Sequence, residues 1–419
     1  MSAKKFAFII PRFFTGVAGG AETLTSSIAA RLAARGDQVE IWTTCARDNR
    51  TWENSFSPGE SREGMLHIKR FAVDPRNLDR WAAHQIALND GLRLDLESQL
   101  EWLEQGVNST ALYRHIERCG PQFDALFFAP YLFGTTFFGS LIHPQNSYLF
   151  PCLHDESYAY LQSIASMFRQ VRGSFFNSAP ERVLAERLYG SLAGGVVGMG
   201  FDPFAAGYVS DLQPLSELTD PYLLYLGRKE TGKGAHLLID NFLELKQRAD
   251  LPARLKLVIC GGGDFADLKR AQALTTGDVI DIKHASETDK HRLLKYCQFL
   301  VQPSVNESFS IVLMEAWLLK RPVLVNGNCA VTRQHVVDSG GGLYFSSPAD
   351  FGAVCAALLS DKALNERCGK AGFEYVSSEY SWPAVLERFD QTLTCIQDPP
   401  SLGSSSVTHS PEPHRPASR

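Results

Sequence analysis

Apolar residues in this chain gather into short strand-like runs, and these alternate with longer stretches whose apolar positions recur at helical spacing. The first unit reads strand, helix, strand. Residues 6–10 are continuously apolar, 22–34 are amphipathic and end before Gly36, and 39–44 are again strand-like. Residues 78–118 are polar, Leu-rich and helix-like, while 124–128 and 147–151 read as buried strands. Phe175-Phe176-Asn177-Ser178 and Gly195-Val196-Val197-Gly198 continue the strand–turn rhythm. Residues 202–221 have few apolar runs and end in polar, proline-containing sequence, which predicts a linker.

A second series follows. Strands are predicted at 222–226, 255–260, 279–283, 299–302 and 322–326, with helices at 235–248, 264–274, 288–296 and 311–319. A last helix is expected over 383–396, and the Ser/Pro/His-rich residues beyond 399 read as disordered. The alternation predicts an α/β chain with parallel sheets and ligands at the carboxyl ends of the strands. The segments are a first domain at 1–202, a linker at 203–221, a second domain at 222–380, a terminal helix at 381–397 and a tail at 398–419.

Composition narrows the function. A chain of 419 residues exceeds one ordinary core, in keeping with two domains. A net charge of -5 gives no general reason to expect a nucleic-acid partner. Nine cysteines without a C-x-x-C pair suit reduced thiols and a cytoplasmic location. The apolar run after Lys4-Lys5 stops at Pro11-Arg12, too short for a secretory leader, and no run approaches a membrane span. The sequon Asn108-Ser109-Thr110 then has no glycosylation role.

Three stretches carry chemistry: Gly227-Arg228-x4-Lys233-Gly234, Gly261-Gly262-Gly263, and Glu307-x7-Glu315. Expelling a nucleotide diphosphate from a sugar requires charge on the leaving oxygen to be neutralised by a metal or by fixed cations. The chain has no Asp-x-Asp pair and no spaced His/Asp/Glu cluster, so no metal and no cofactor is expected. Arg228, directly after a strand, and Lys233, before the next helix, are the candidate cations. A plain solvated basic turn is the competing reading.

Glu307-Ser308-Phe309-Ser310-Ile311 feeds a helix, so free amides and the positive dipole end face the same crevice. Counted as helix, eight residues rise about 12 Å, so Glu307 and Glu315 should meet different parts of an extended ligand. A carboxylate within Ile311-Val312-Leu313-Met314-Glu315-Ala316-Trp317 needs a polar partner, either a ligand hydroxyl or a buried Arg or Lys. Gly19-Gly20 precede a helix and form an anion seat or a simple tight turn. His154-Asp155-Glu156 follows a strand and either faces the crevice or is only a loop. The G-x-G-x-x-G dinucleotide fingerprint fails after residue 260, because Ala266 occupies the third glycine position, which argues against an NAD enzyme.

Taken in order, Gly19-Gly20, His154-Asp155, Phe176-Asn177-Ser178, the Gly-Arg-x4-Lys-Gly signature and Pro303-Ser304-Val305-Asn306-Glu307-Ser308-Phe309 resemble the family-4 retaining glycosyltransferases of the GT-B fold. The resemblance runs to about residue 396. It implies two Rossmann-like domains facing a cleft, acceptor mainly on the first and donor on the second, with the last helix crossing back to the first. By the same resemblance Glu307 and His154 are catalytic and Asp155 lies near the acceptor or sugar. Gly19, Gly20, Arg228, Lys233, Ser308, Phe309, Ser310, Ile311 and Glu315 would bind a nucleotide-diphosphate sugar.

Two departures stand out. Ser310 replaces a glycine common in the family, and Cys329 to His335 stand where many members have a Gly-Gly-x-x-Glu turn. That variant is similar to bacterial members in surface-polysaccharide assembly, some of them mannosyltransferases. The implied partners are a nucleotide-sugar donor and a glycan or lipid-linked acceptor, with a cytoplasmic or inner-membrane-face location and no transmembrane segment. A non-catalytic nucleotide-sugar-binding relative and a nucleotide-sugar epimerase are the alternatives.

Overall fold

A computed structural model describes residues 3–14, 16 and 19–398. The expected tail at 398–419 falls, beyond its first residue, outside the described residues. The first domain runs β1 (Lys5–Ile9), α1 (Gly20–Ala34), β2 (Gln38–Thr44), β3 (Gly59–Glu63), β4 (Leu66–Phe71), α2 (Leu78–Asn89), α3 (Leu96–Glu104), α4 (Thr110–Cys119), β5 (Ala125–Phe128), α5 (Gly134–Ser140), β6 (Ser147–Leu149), α6 (Gln162–Gln170), β7 (Gly173–Phe176), α7 (Ala179–Tyr189) and β8 (Gly194–Val196). A short helix, α8 (Ala206–Asp211), lies within the expected linker.

The second domain runs β9 (Tyr222–Leu226), α9 (Ala235–Gln247), β10 (Lys256–Cys260), β11 (Val279–Ile282), α10 (Glu287–Tyr296), β12 (Leu300–Gln302), α11 (Ile311–Leu318), β13 (Val323–Asn326), α12 (Ala330–Ser339), β14 (Gly342–Phe345), α13 (Pro348–Ser360) and α14 (Lys362–Glu379); the last helix is α15 (Trp382–Gln397).

The strands form an eight-stranded sheet ordered β3-β4-β2-β1-β5-β6-β7-β8 and a six-stranded sheet ordered β11-β10-β9-β12-β13-β14. Within them only the β3–β4 pair is antiparallel. Helices cover both faces, which is why central strands such as Tyr222–Leu226 are buried at every position rather than alternating. Each sheet leaves a row of loops at its carboxyl edge, where ligands bind in this architecture.

The terminal helix crosses back. Phe389 joins Phe6, Phe127 and Phe175 with ring centroids 6.0, 5.4 and 5.1 Å away. Arg388 donates to the Val197 carbonyl at 3.0 and 3.2 Å, and Arg35 pairs with Asp390 at 2.7 Å. The helix also presses close on two glycines of β7 and β8: a methyl group on Gly173 would meet Ile396 at 2.8 Å, and one on Gly195 would collide with Thr392.

Some predicted elements differ. The 78–118 stretch divides into three helices because Asn77, Asp95 and Ser109 each cap a new start, accepting from Arg80, Ser98 and Leu112. The helix expected at 264–274 does not form. Phe265, Leu268 and Ala273 all turn into the second-domain core, Lys269 takes a positive φ of 54°, and only a 3₁₀ turn follows at Ala271–Thr276.

Candidate functional site

The turn after β9 begins the second domain's side of the cleft. Arg228 is half exposed and pairs with Glu230 at 3.0 Å. Lys233 ends a 3₁₀ turn and reaches Glu307 Oε1 at 2.8 Å. Gly234 lets this turn close on the neighbouring loop: its φ is 72°, and an added Cβ would stand 2.8 Å from the Pro303 carbonyl oxygen. Lys229, between the two cations, is wholly buried, pairs with Asp281 at 2.9 Å and donates to the carbonyls of Gly261 and Gly263. The glycine loop after β10 is therefore fastened to the Arg228 turn by a lysine the sequence reading did not single out.

Glu307 lies four residues before α11, which starts at Ile311. The Glu307–Glu315 spacing is therefore not helical, and the rise expected from helix geometry does not apply. Ser310 occupies the N-cap with φ 69°, a conformation that favours glycine, and no side chain caps the helix. Its hydroxyl accepts from Gln302 Nε2 at 3.4 Å. The Leu313 amide donates to the Ser310 carbonyl at 3.2 Å, while the Ile311 and Val312 amides have no acceptor among the described residues. Phe309 is buried, stacked on Phe201 with centroids 6.2 Å apart and edge-on to Tyr380 and His335 at 5.0 and 5.5 Å. Its ring holds the turn, so only its backbone is open to a ligand. Ser308 lies against Cys152 of the first domain, and Ile311 packs on the core.

Glu315 meets a lysine: Lys290 Nζ stands 2.8 Å from its Oε1 and also 2.8 Å from Glu287. Burial pushes the Glu315 carboxyl above its usual range, and the Lys290 ammonium offsets part of that rise. One oxygen is thus taken internally and one remains for a ligand hydroxyl.

On the first domain, His154 follows β6, and its Nδ1 lies 3.6 Å from Glu156 Oε1. Tyr131, fully buried, donates to the same oxygen at 2.9 Å. Burial raises the Glu156 carboxyl, but His154, Tyr131 and the charge of Lys233 across the cleft bring it below its usual range. Asp155 faces the other way, bound to Tyr160 at 2.6 Å and Arg187 at 2.8 Å. Asp155 is thus held away from His154 by its own partners, and Glu156 is the carboxylate beside the imidazole. The chain turns here: the Glu156 amide donates to the His154 carbonyl at 3.0 Å, which brings the two side chains together.

The loop carrying His154 is pinned by Glu181, which accepts from the Leu153 and Asn177 amides at 2.6 and 2.5 Å. At the start of α1, the Glu22 carboxylate packs against Gly19 and pairs with Arg12 at 2.6 Å. The seat formed by Gly19 and Gly20 thus already holds a neutralised carboxylate. Among the described residues no group of three or more His, Cys, Asp or Glu side chains converges as a metal site would, and no helix is long and apolar enough to cross a membrane.

Two open α/β sheets facing one cleft, with a last helix returning to the first, define the GT-B class of fold. Over 93% of this chain and 99% of the other, Anabaena Alr3699/HepE, solved in complex with UDP and glucose, superposes with a TM-score of 0.68 at 15% identity. Residues 211–375 match the family model described as "Glycosyl transferases group 1". Human alpha-1,3/1,6-mannosyltransferase ALG2 is 25% identical over 90% of this chain and 93% of its own. Glycosyltransferase 1 domain-containing protein 1 of Xenopus tropicalis is 28% identical over 28% of this chain. That match spans about a third (33%) of the frog protein.

Proposed function

We propose that this protein is a glycosyltransferase that moves a hexose from a nucleotide-diphosphate sugar to a glycan or lipid-linked acceptor, retaining anomeric configuration and using no metal ion. The observation that carries the reading is the convergence of Lys233, Glu307 and the uncapped start of α11 opposite His154 and Glu156. The matched segment, 211–375, contains the donor-side residues.

An arriving diphosphate competes with Glu307 for Lys233 and draws on Arg228 and the α11 amides. Glu307, released from its ion pair, then accepts from hydroxyls of the sugar. Glu315 uses its free oxygen on the ribose, while Lys290 keeps the other. His154, oriented by Glu156, lies at the sugar's reacting face. As the glycosidic bond to the diphosphate breaks, the departing oxygen takes the proton of the acceptor hydroxyl and the new bond forms on the same face. Mannose is the favoured sugar because of the similarity to a mannosyltransferase. A role in bacterial surface-polysaccharide assembly rests on the Cys329 to His335 variant of the family turn.

A charge-assisted contact contributes about 1.5–3 kcal/mol, so Lys233→Met and Arg228→Met should each lower kcat/KM for the donor by roughly 10- to 150-fold. Transfer from UDP-, GDP- and ADP-hexoses is measured with and without EDTA, and the product anomer is read by NMR. Wild-type rates in both variants would remove the phosphate role, and activity restored after EDTA only by a metal would remove the metal-free one. Nucleotide binding without transfer or donor hydrolysis would favour the non-catalytic alternative.

A further inference from the structure

Of the partly buried arginines along the carboxyl edge of the first sheet, Arg12 and Arg70 have acceptors among the described residues and Arg76 has none. Arg12 pairs with Glu22, and Arg70 reaches Ser61, the Phe13 carbonyl and Glu63. Arg76, five residues beyond β4, forms no ion pair or hydrogen bond among the described residues, and its Nε and Nη2 are both buried without an acceptor. The Trp81 ring lies 5.3 Å from the guanidinium carbon. Asp74, the nearest acid in sequence, is spent on the amide and hydroxyl of Thr110, each at 2.7 Å. Burial alone lowers the Arg76 guanidinium, with no charge opposing it.

A half-buried cation that finds no counter-charge among the described residues is costly to retain. A planar fork backed by an indole matches the two oxygens of a phosphate or carboxylate. We propose that Arg76 is a seat for an oxyanion carried by the acceptor.

Position separates this seat from the donor site. Arg76 follows β4, two strands from β1 and four from β6, whose loop carries His154. At about 4.8 Å per strand, the strand ends that feed these loops are roughly 10 Å and 20 Å from the end of β4. The donor's diphosphate is assigned to the other domain and cannot reach so far. The anion therefore belongs to an acceptor lying along the sheet edge, charged well away from its reacting hydroxyl. The inference rests on the glycosyl-transfer reading, but its test does not depend on turnover.

Binding is measured by calorimetry for three probes: glucose 6-phosphate, glucuronate, and phosphatidylcholine vesicles containing phosphatidic acid. The proteins are wild type, Arg76→Met, Arg76→Lys and Lys233→Met, with UDP and GDP titrated in parallel. At least one probe should bind wild type and Lys233→Met alike and bind Arg76→Met at least ten-fold more weakly. Arg76→Lys, which keeps the charge and loses the fork, should fall between and provides the comparison if the Met variant does not fold. Which probe binds identifies the source as a soluble sugar phosphate, a sugar acid or a lipid phosphate. Equal binding to wild type and the Arg76 variants, or no binding to wild type by any probe, overturns the proposal. Nucleotide binding that persists in that case leaves the donor site standing.

Discussion

Replacing Glu181 with glutamine tests whether burial or hydrogen bonding governs the clamp beneath His154. Glu181 is 1% exposed; one oxygen accepts from the Leu153 amide and the other from the Asn177 amide, with the Ser178 amide a weaker third donor. Those donors favour the ionised form, but burial outweighs them and pushes the carboxyl up to about 8, from 4.5. The sign follows: the folded state keeps a proton that the unfolded chain has released. The carboxyl's contribution is full below 4.5 and is lost progressively as pH rises toward about 8. The slope is at most about 1.4 kcal/mol per pH unit for one group.

In the Glu181→Gln variant the new side chain cannot titrate, and its amide nitrogen must face one of the two backbone N–H donors. Leaving that donor unsatisfied costs about 1–3 kcal/mol. At pH 5 the variant should therefore be less stable than wild type by about that amount. By pH 8 wild type has lost stability that the variant had no means to lose, so the gap should narrow by at least about 1.4 kcal/mol, one pH unit's worth. Urea denaturation followed by circular dichroism at pH 5, 6.5 and 8 supplies the comparison. A gap that stays constant or widens with pH would mean the carboxyl is ionised throughout, and the argument from burial would be wrong.

Gly234→Ala places a methyl group 2.8 Å from the Pro303 carbonyl at φ 72°. The strain, about 1–2 kcal/mol, should pull the Lys233 turn from Glu307 and weaken nucleotide-sugar binding by calorimetry about ten-fold. Lys290→Met removes the ammonium that offsets burial at Glu315, so that carboxyl should rise further. Nucleotide affinity, which needs the ionised carboxylate, should then fall off with decreasing pH from a higher midpoint than in wild type, as read by titrations across pH. Glu156→Gln should lower kcat about ten-fold with little change in donor KM, since it removes only the group that orients His154.

Much of the architecture was legible because central parallel strands are continuously apolar, as in Tyr222–Leu226, where helices cover both faces. The β3–β4 hairpin was not, because β3 reads Gly-Glu-Ser-Arg-Glu and is almost entirely exposed; an edge strand has no core to write its pattern. In the site, the motif residues were visible by type and spacing, but their internal partners were not. Lys290 lies 25 positions from Glu315, and Lys229 lies 52 from Asp281; only the folded sheet brings them together. Asp155 was singled out as part of the His-Asp pair of the family resemblance; the turn closed by the Glu156 amide on the His154 carbonyl, which brings Glu156 to the imidazole, leaves no mark in the sequence.

Because Phe389 and its neighbours complete the aromatic cluster of β1, β5 and β7, the first domain waits for a helix that is synthesised after the second. While the ribosome is still making the second domain, the first has an open apolar face that nothing yet covers. The order of translation and the order of folding are therefore uncoupled in this chain. A stop codon just before residue 382 would injure the first domain, far upstream of the change.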